Sequence, residues 1–281
     1  MKCIFFALVT LMMVCSCSVY KTFKSPEPKT ANLCGENRTT QDSWANQPAW
    51  KEVFADSLLQ QLIEKGLMVN TDLQVARLNI EQAEARLLAS RLAYLPSFAV
   101  TPEGSISKGK DGETVKSYTL PLTMQWEVDV FGKLRNSKLR ARAQLLQSSE
   151  YKQMVQVQLI ASIANNYYTL LMLDEQLRIT RQSIQNQKEN LEVIIAMKEA
   201  GMQTEAAVNQ ASADYYNVMY SEKELMKQIR LVENCIALLI NETPHTIARV
   251  SINEIMAVNI DYTVPISLLA LANRPDVKQA E

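Results

Sequence analysis

The segment from Ser137 to Gly201 constrains the fold more than any other part of the chain, because it contains no glycine or proline before its last residue. Aliphatic residues recur in it at every seventh position, the spacing of a helix that packs along a partner helix: Ile163, Leu170, Leu177, Ile184 and Leu191. A helix of ~64 residues would extend about 96 Å. We therefore predict one long helix over 137–200 that needs helical partners along its length.

Two shorter segments are the predicted partners of this helix. Gly201 is suited to a helix C-terminus and Thr204 to the cap of a second helix, over 204–241, which would cover about 57 Å. A third helix, over 72–93 with Asp72 as its cap, would add about 33 Å. We therefore expect the two shorter helices to be stacked end to end along the long one. A smaller helix, from Val53 to Leu67, precedes them.

Strict alternation of apolar and polar residues replaces the helical pattern just before the long helix. In a predicted strand at 117–131, every second residue is apolar: Tyr118, Leu120, Leu122, Met124, Trp126, Val128 and Val130. A strand with one apolar face and aromatic residues at its ends suits a transmembrane barrel. A less regular partner strand is predicted at 97–107, joined through a Gly- and Lys-rich loop at 108–116. A soluble hairpin packed on helices has the same alternation, and Pro121 disfavours a central strand in any sheet, so both interpretations are open.

The N-terminus has the pattern of a secretion signal followed by a lipid anchor. The apolar run Ile4–Val14 is shorter than the ~20 residues of a membrane-spanning helix. Ser16 before Cys17 resembles the lipobox of bacterial lipoproteins, in which the cysteine is acylated. We therefore predict a signal peptide at 1–16 and a covalent lipid on Cys17. Cys15 fits less well because a bulky valine precedes it, and ordinary cleavage that leaves a free thiol is the alternative.

The residues before and after the predicted helices and strands define further segments of the chain. Ser18, where an aspartate would favour the inner membrane, favours retention in the outer membrane. The polar, proline-containing residues at 17–50 predict an extended tether. The body at 51–264 would form one helix, β-hairpin and helix repeat. Residues 265–281 would form a linker and the start of a truncated second repeat.

The second repeat is predicted from a short internal similarity. Asn70–Ala76 is echoed by Arg274–Ala280: in both, an aspartate is followed by an aliphatic residue and then by an alanine four positions after the aspartate. We expect both segments to open a helix.

Composition disfavours several classes of function. The 29 Lys and Arg residues against 30 Asp and Glu give a net charge of -1, which provides no basic field for nucleic acid. His245 is the sole histidine, and no nucleophile–base pair, phosphate loop or metal-ligand cluster appears. We therefore expect no enzymatic activity, cofactor or metal. Cys235 lies in an apolar run, where a buried thiol is expected, and a disulfide with Cys34 is left open.

Several motifs together resemble the TolC-type outer-membrane efflux proteins, in their lipoprotein branch. In family order they are the lipobox at Cys17, Asn70–Ala76, Trp126–Lys133, Ala200–Met202 with Thr204, and Leu268–Leu269 with Arg274–Val277. The resemblance departs at Asn241, where the family often has glycine, and in the absence of a second half. It implies a mainly α fold with a β-hairpin. In that fold, long antiparallel coiled-coil helices form a periplasmic tunnel and each repeat gives two strands to a transmembrane barrel.

The resemblance also implies a function and partners. The full-length form would be a homotrimer, a passive exit duct for small molecules and drugs in a tripartite efflux system. An inner-membrane efflux transporter would supply the energy. A periplasmic adaptor protein would dock at the helical tip near Lys198, Gly201 and Thr204, although helix capping or a solvated face also explains each of these residues. Met1–Glu281 alone is expected to be targeted and acylated but inactive in export.

Two other classes of protein share some of these features. A lipidated periplasmic adaptor also has a long helical hairpin, but lipoyl-type strands with glycines are not visible here. A coiled-coil scaffold lipoprotein is the second alternative. A duct would need detergent even after Cys17 is replaced, whereas a scaffold would then become soluble.

Overall fold

Long helices and one β-hairpin make up the described part of the chain. The computed structural model describes residues 50–108, 114–255 and 274–280. The predicted signal peptide, Cys17, Cys34, the tether and Leu268–Leu269 lie outside these ranges. In chain order, the helices are α1 Trp50–Val53, α2 Ser57–Val69, α3 Thr71–Leu92, α4 Lys133–Glu199, α5 Glu205–Leu239, α6 Ile252–Ile255 and α7 Pro275–Ala280. The strands are β1 Ser97–Val100, β2 Glu103–Lys108, β3 Thr114–Thr119 and β4 Leu122–Gln125. The predicted mainly α fold with a β-hairpin is confirmed.

The long helix α4 has 67 residues and extends about 100 Å. It begins at Lys133, one turn before the predicted start at Ser137. The reason is a cap from an upstream side chain: the Asp129 carboxylate accepts hydrogen bonds from the backbone N–H groups of Leu134 (3.1 Å) and Arg135 (2.8 Å). An aspartate that binds the free N–H groups of the first turn lets the helix start there.

The two shorter helices pack against different parts of α4, and they meet end to end at Asn70. This residue is 6% exposed. Its Oδ1 accepts the N–H of Leu73 (3.1 Å), so it caps α3, and its Nδ2 donates to the carbonyl of Leu239 (3.0 Å) at the end of α5. The predicted cap, Asp72, is therefore wrong, because it lies inside the first turn. The stacking expected from helix lengths is present.

Apolar residues of α2, α3, α4 and α5 form the helical core, and Ile163 and Leu170 of the predicted heptad series are among them. One cluster joins α2, α3 and α4 through Leu59, Ile63, Leu73, Leu159, Ile163, Ala164, Tyr167 and Leu171. A second cluster joins α4, α5 and the following loop through Leu170, Leu173, Ile229, Ile236 and Ile247. On the face of α5 that packs on α4, which we call the α5 seam, Glu222 forms an ion pair at 2.9 Å with Arg181 of α4. The hydrogen bonds from Arg181 and Lys223 hold the pKa of the Glu222 carboxyl below its ordinary value.

Three further predictions differ from the structure. The helix predicted over Val53–Leu67 is α2, Ser57–Val69, which is capped by the Asp56 carboxylate on the N–H of Leu58. The helix predicted over 204–241 is α5, with Thr204 as its cap and its last residue at Leu239. Cys235, expected to be buried, is exposed, because it lies one position away from the buried seam residue Ile236.

The hairpin is a two-stranded antiparallel ladder in a single register. β1 pairs with β4 (Val100 opposite Leu122) and β2 pairs with β3 (Glu103 opposite Thr119). Between these ladders, Pro102 and Pro121 each lack a backbone N–H, so the predicted continuous strands are each split in two. The N–H of Thr101 still donates to the carbonyl of Pro121 (3.3 Å).

The helices of the described residues differ from membrane-spanning helices. None of them combines the necessary length with the necessary apolar character.

Candidate functional site

The register of the hairpin collects apolar side chains from both strands on one face. Residues opposite each other in the ladder share a face, so Phe98 lies beside Met124 and Val100 beside Leu122. The apolar positions of the predicted membrane strand are all exposed, with exposed fractions of 59–78%: Tyr118, Leu120, Leu122, Met124, Trp126, Val128 and Val130. Phe98, Val100 and Ile106 of the partner strand are also exposed. Seven of these apolar side chains lie between the first and last paired residues of the hairpin, and we call them the apolar hairpin face: Phe98, Val100, Ile106, Tyr118, Leu120, Leu122 and Met124.

The size of the apolar hairpin face matches that of a strand segment in a membrane. From Phe98 to Ile106 the strand covers about 27 Å. Barrel strands that cross a bilayer have ~9–11 residues at a tilt of about 45°, and the nine residues from Phe98 to Ile106 fall in this range. The opposite face carries mainly Ser, Thr, Glu and Gln residues, such as Thr119 and Thr123. One face of this hairpin thus suits lipid and the other suits water.

The last residues of the predicted strand at 117–131 do not belong to the ladder. Its pairing ends at Gln125, opposite Ser97. By the same register, Trp126 would face Pro96 and Val128 would face Tyr94, which is where α3 has just ended. Within the described part of the chain, residues 126–131 therefore have no partner strand and form none themselves, so this part of the prediction is wrong.

Residues Trp126–Lys133 instead join the hairpin to α4. The Trp126 indole N–H donates to the carbonyl of Tyr94 (3.1 Å). Glu127 forms an ion pair with Lys133 at 2.8 Å, and Gly132 has a positive φ of 74°, which favours glycine. Together with the Asp129 cap, these contacts explain why this motif has its particular residues. The motif fixes the base of the hairpin to the start of the long helix.

The helical tip lies at the opposite end of α4 from the hairpin, about 100 Å along the helix. Gly201 has a φ of 74°, and the N–H of Met202 donates to the carbonyl of Met197 (2.8 Å) in the pattern of a glycine-terminated helix. The Thr204 hydroxyl accepts the N–H of Ala207 (3.4 Å). Lys198 forms an ion pair with Glu205, which raises the pKa of the Lys198 ammonium. The three predicted tip residues are thus adjacent, and all take part in the turn.

A buried charge cluster holds the segment after α5 against the helices. The Arg249 guanidinium binds the carboxylates of Asp174 (2.9 Å) on α4 and Glu233 (2.7 Å) on α5. The Glu233 side chain is 3% exposed. Hydrogen bonding to Asp174 raises the pKa of the Arg249 guanidinium, so it stays charged.

A neighbouring contact on the same segment uses Tyr167. Its hydroxyl donates to Asp56 and accepts the N–H of Val250 (3.4 Å). Burial, followed by the hydrogen bond to Asp56, raises the pKa of Tyr167 above its ordinary value. Sequence reasoning missed both contacts, because the paired residues are far apart in the chain and occur outside any short motif.

Among the residues that the structure describes, no group of three or more His, Cys, Asp or Glu side chains is placed to hold a metal ion.

The chain is similar to outer-membrane proteins of efflux pumps and to an outer-membrane lipoprotein. The chain is 27% identical over 291 residues to the toluene efflux pump outer membrane protein TtgC of Pseudomonas putida, covering 97% of this chain and 59% of TtgC. It is 24% identical to the probable outer membrane lipoprotein SilC of Salmonella typhimurium, covering 93% of this chain and 57% of SilC. The chain therefore spans less than two thirds of the length of these relatives.

Solved structures have the same fold. The outer-membrane channel OprN matches with a TM-score of 0.68 and 27% identity, over 82% of this chain and 53% of that one. CusC matches with a TM-score of 0.71 at 21% identity, over 85% of this chain and 56% of that one. The model of the family described as "Outer membrane efflux protein" matches residues 62–242, which is more than half of the chain. The protein is therefore a member of the outer membrane efflux protein family.

Proposed function

We propose that this chain provides the first repeat of an outer-membrane channel in a tripartite efflux system. The observation that carries the proposal is the separation of two features along α4. The apolar hairpin face is exposed at one end, and a tight helical tip lies about 100 Å away at the other. A protein with this arrangement can cross the outer membrane with its hairpin and extend into the periplasm with its helices.

The family match supports the remaining parts of the proposed channel. A lipid on Cys17 would anchor the chain to the outer membrane in addition to the hairpin. Two strands leave unpaired edges, which would need strands from a second repeat and from two further protomers of a homotrimer. Small molecules and drugs would pass through the duct passively.

The energy and the contact to the pump would come from other proteins. An inner-membrane efflux transporter would drive transport, and a periplasmic adaptor would dock at the tip formed by Lys198, Gly201 and Thr204. Met202, exposed between these residues, supports this placement because it offers an apolar contact at the turn. The adaptor and scaffold alternatives are not supported by the family match.

Deletion of the gene tests this function. A deletion strain is expected to accumulate more ethidium than its parent, because it lacks the exit duct. A plasmid that encodes a full-length protomer with both repeats should reverse the accumulation, whereas one that encodes Met1–Glu281 alone should not. Adding a protonophore, which removes the energy of the pump, should bring parent and deletion strain to the same level. This control separates efflux from passive permeability. Equal accumulation in both strains before the protonophore is added would contradict the proposal.

A further inference from the structure

The first ten residues of α4 carry a dense group of exposed cations. Its members, which we call the basic patch, are Lys133, Arg135, Lys138, Arg140 and Arg142. No Asp or Glu occurs from Lys133 to Ser149. Five of the 29 Lys and Arg residues, in a chain with a net charge of -1, are thus concentrated in three helical turns.

Ion pairing does not account for the basic patch. Lys133 binds Glu127, but in the described ranges the other four cations have no carboxylate partner. The cations of α4 and α5 that lie in the half nearer the helical tip differ, because they are paired. There, Arg178, Arg181 and Lys227 each form an ion pair with a glutamate.

The stability of the helix does not account for the basic patch either. The first turn of a helix has a partial positive charge, so cations there are unfavourable and carboxylates are favourable. α4 has no acidic residue in its first turn, and its cap comes from Asp129 outside the helix. The helix thus tolerates an arrangement opposite to the one that would stabilise it.

The position of the basic patch points to its ligand. The indole of Trp126 and the ion pair between Glu127 and Lys133 fix the start of α4 at the base of the hairpin. Ten helical residues cover about 15 Å, so the whole patch lies close to the end of the apolar hairpin face. Long Lys and Arg side chains at such a distance can reach the polar surface of the membrane that holds the hairpin.

One face of the helix also combines cations with aliphatic residues. Arg135, Leu139, Arg142 and Leu146 follow each other at helical spacings of four, three and four residues. Both leucines are more than half exposed. Basic and aliphatic residues on one exposed helix face are typical of helices that contact lipid headgroups.

We propose that the basic patch binds the anionic headgroups of phospholipids at the periplasmic surface of the membrane. This inference rests on the proposed function, since it requires the apolar hairpin face to lie in the bilayer. The basic juxtamembrane residues would fix the depth and tilt of the hairpin by electrostatic attraction to phosphates. An acidic surface of another protein is the competing occupant of the same patch.

Vesicle flotation tests the inference with the full chain carrying Cys17→Ala, so that no acyl group contributes. Vesicles of phosphatidylcholine alone are compared with vesicles that also contain phosphatidylglycerol, at low and high salt. The chain is expected to bind both, with about tenfold or greater preference for the anionic vesicles at low salt. The preference should fall in high salt, because salt screens exposed charges. The variant Arg135→Gln/Lys138→Gln/Arg140→Gln/Arg142→Gln should lose the preference but keep its binding to neutral vesicles.

The matched control removes the same charge from the tip half of the molecule. Its substitutions are Arg178→Gln, Lys188→Gln, Lys223→Gln and Lys227→Gln, and it should keep the full preference. Circular dichroism of both variants checks that they stay helical. An unchanged preference in the patch variant, or equal binding of the parent chain to both vesicles, would overturn the inference. Failure of the parent chain to bind neutral vesicles would instead contradict the placement of the hairpin in the membrane.

Discussion

Two arginines in the middle of the apolar hairpin face, Leu120→Arg with Leu122→Arg, are expected to release the chain from the membrane. These leucines lie midway along the face, where an arginine on a lipid-facing strand costs about 2–4 kcal/mol. In a chain that also carries Cys17→Ala, the parent should stay in the membrane fraction after an alkaline carbonate wash. The double variant should appear in the supernatant, because the combined cost exceeds what the remaining apolar residues of the hairpin provide.

The control for this variant places the same charges on the other face. Thr119→Arg with Thr123→Arg changes neighbouring positions that point away from the apolar hairpin face. The control should therefore remain in the membrane fraction. Loss of both variants to the supernatant would show sensitivity to charge alone, and retention of both would contradict a lipid-facing hairpin.

Replacement of Arg249 by alanine is expected to be the most destabilising single change in the helical body. It removes the partner of Glu233, whose side chain is 3% exposed, and leaves that carboxylate with only a longer contact to Arg230 (3.3 Å). Breaking a buried ion pair typically costs about 3–5 kcal/mol. We expect the free energy of unfolding to fall by about 3 kcal/mol, measured by urea unfolding of the detergent-solubilised chain followed by circular dichroism.

Two further variants distinguish the cost of leaving a buried charge unpaired from the cost of losing any ion pair. Arg178→Ala removes an exposed pair with Glu175 and should cost less than about 1 kcal/mol. Arg249→Ala combined with Glu233→Gln removes the unpaired charge as well, so part of the lost stability should return. A cost for Arg249→Ala no larger than that for Arg178→Ala would show that the cluster does not hold the segment in place.

The features set by local spacing could be predicted from the sequence. Helix lengths gave the end-to-end stacking of α3 and α5 on α4, since rise per residue is constant. Gly201 and Thr204 were recognisable because a helix end needs a left-handed residue and a helix start needs a side-chain acceptor. The apolar strand was recognisable because side chains alternate between the two faces of a strand.

Features set by contacts between distant residues could not be predicted in this way. Asn70 caps one helix and also binds the end of another, and no local pattern distinguishes it from Asp72. Arg249 finds its partners on two helices that only the fold brings together. Cys235 lies in an apolar stretch, yet its angle around α5 places it outside the seam.

The apolar face of the partner strand also could not be predicted from the sequence. Its apolar residues are spaced unevenly in the sequence, because Pro102 and Gly104 occupy two of the positions on the apolar side. The register with β3 and β4 reveals that Phe98, Val100 and Ile106 share one face with the regular strand. The apolar hairpin face therefore includes both strands, which supports the interpretation of the hairpin as a membrane element.

The placement of the apolar hairpin face in lipid can be measured directly with an environment-sensitive fluorophore. Single substitutions such as Leu122→Cys and Thr123→Cys, in a chain whose native cysteines are replaced by serine, would each carry the label. After reconstitution into vesicles, labels at Phe98, Leu120, Leu122 and Met124 should shift to the blue and be quenched by a lipid-attached quencher. Labels at Ala99, Thr119, Thr123 and Gln125 should report water. The same emission from both sets of positions would contradict the membrane role of the hairpin.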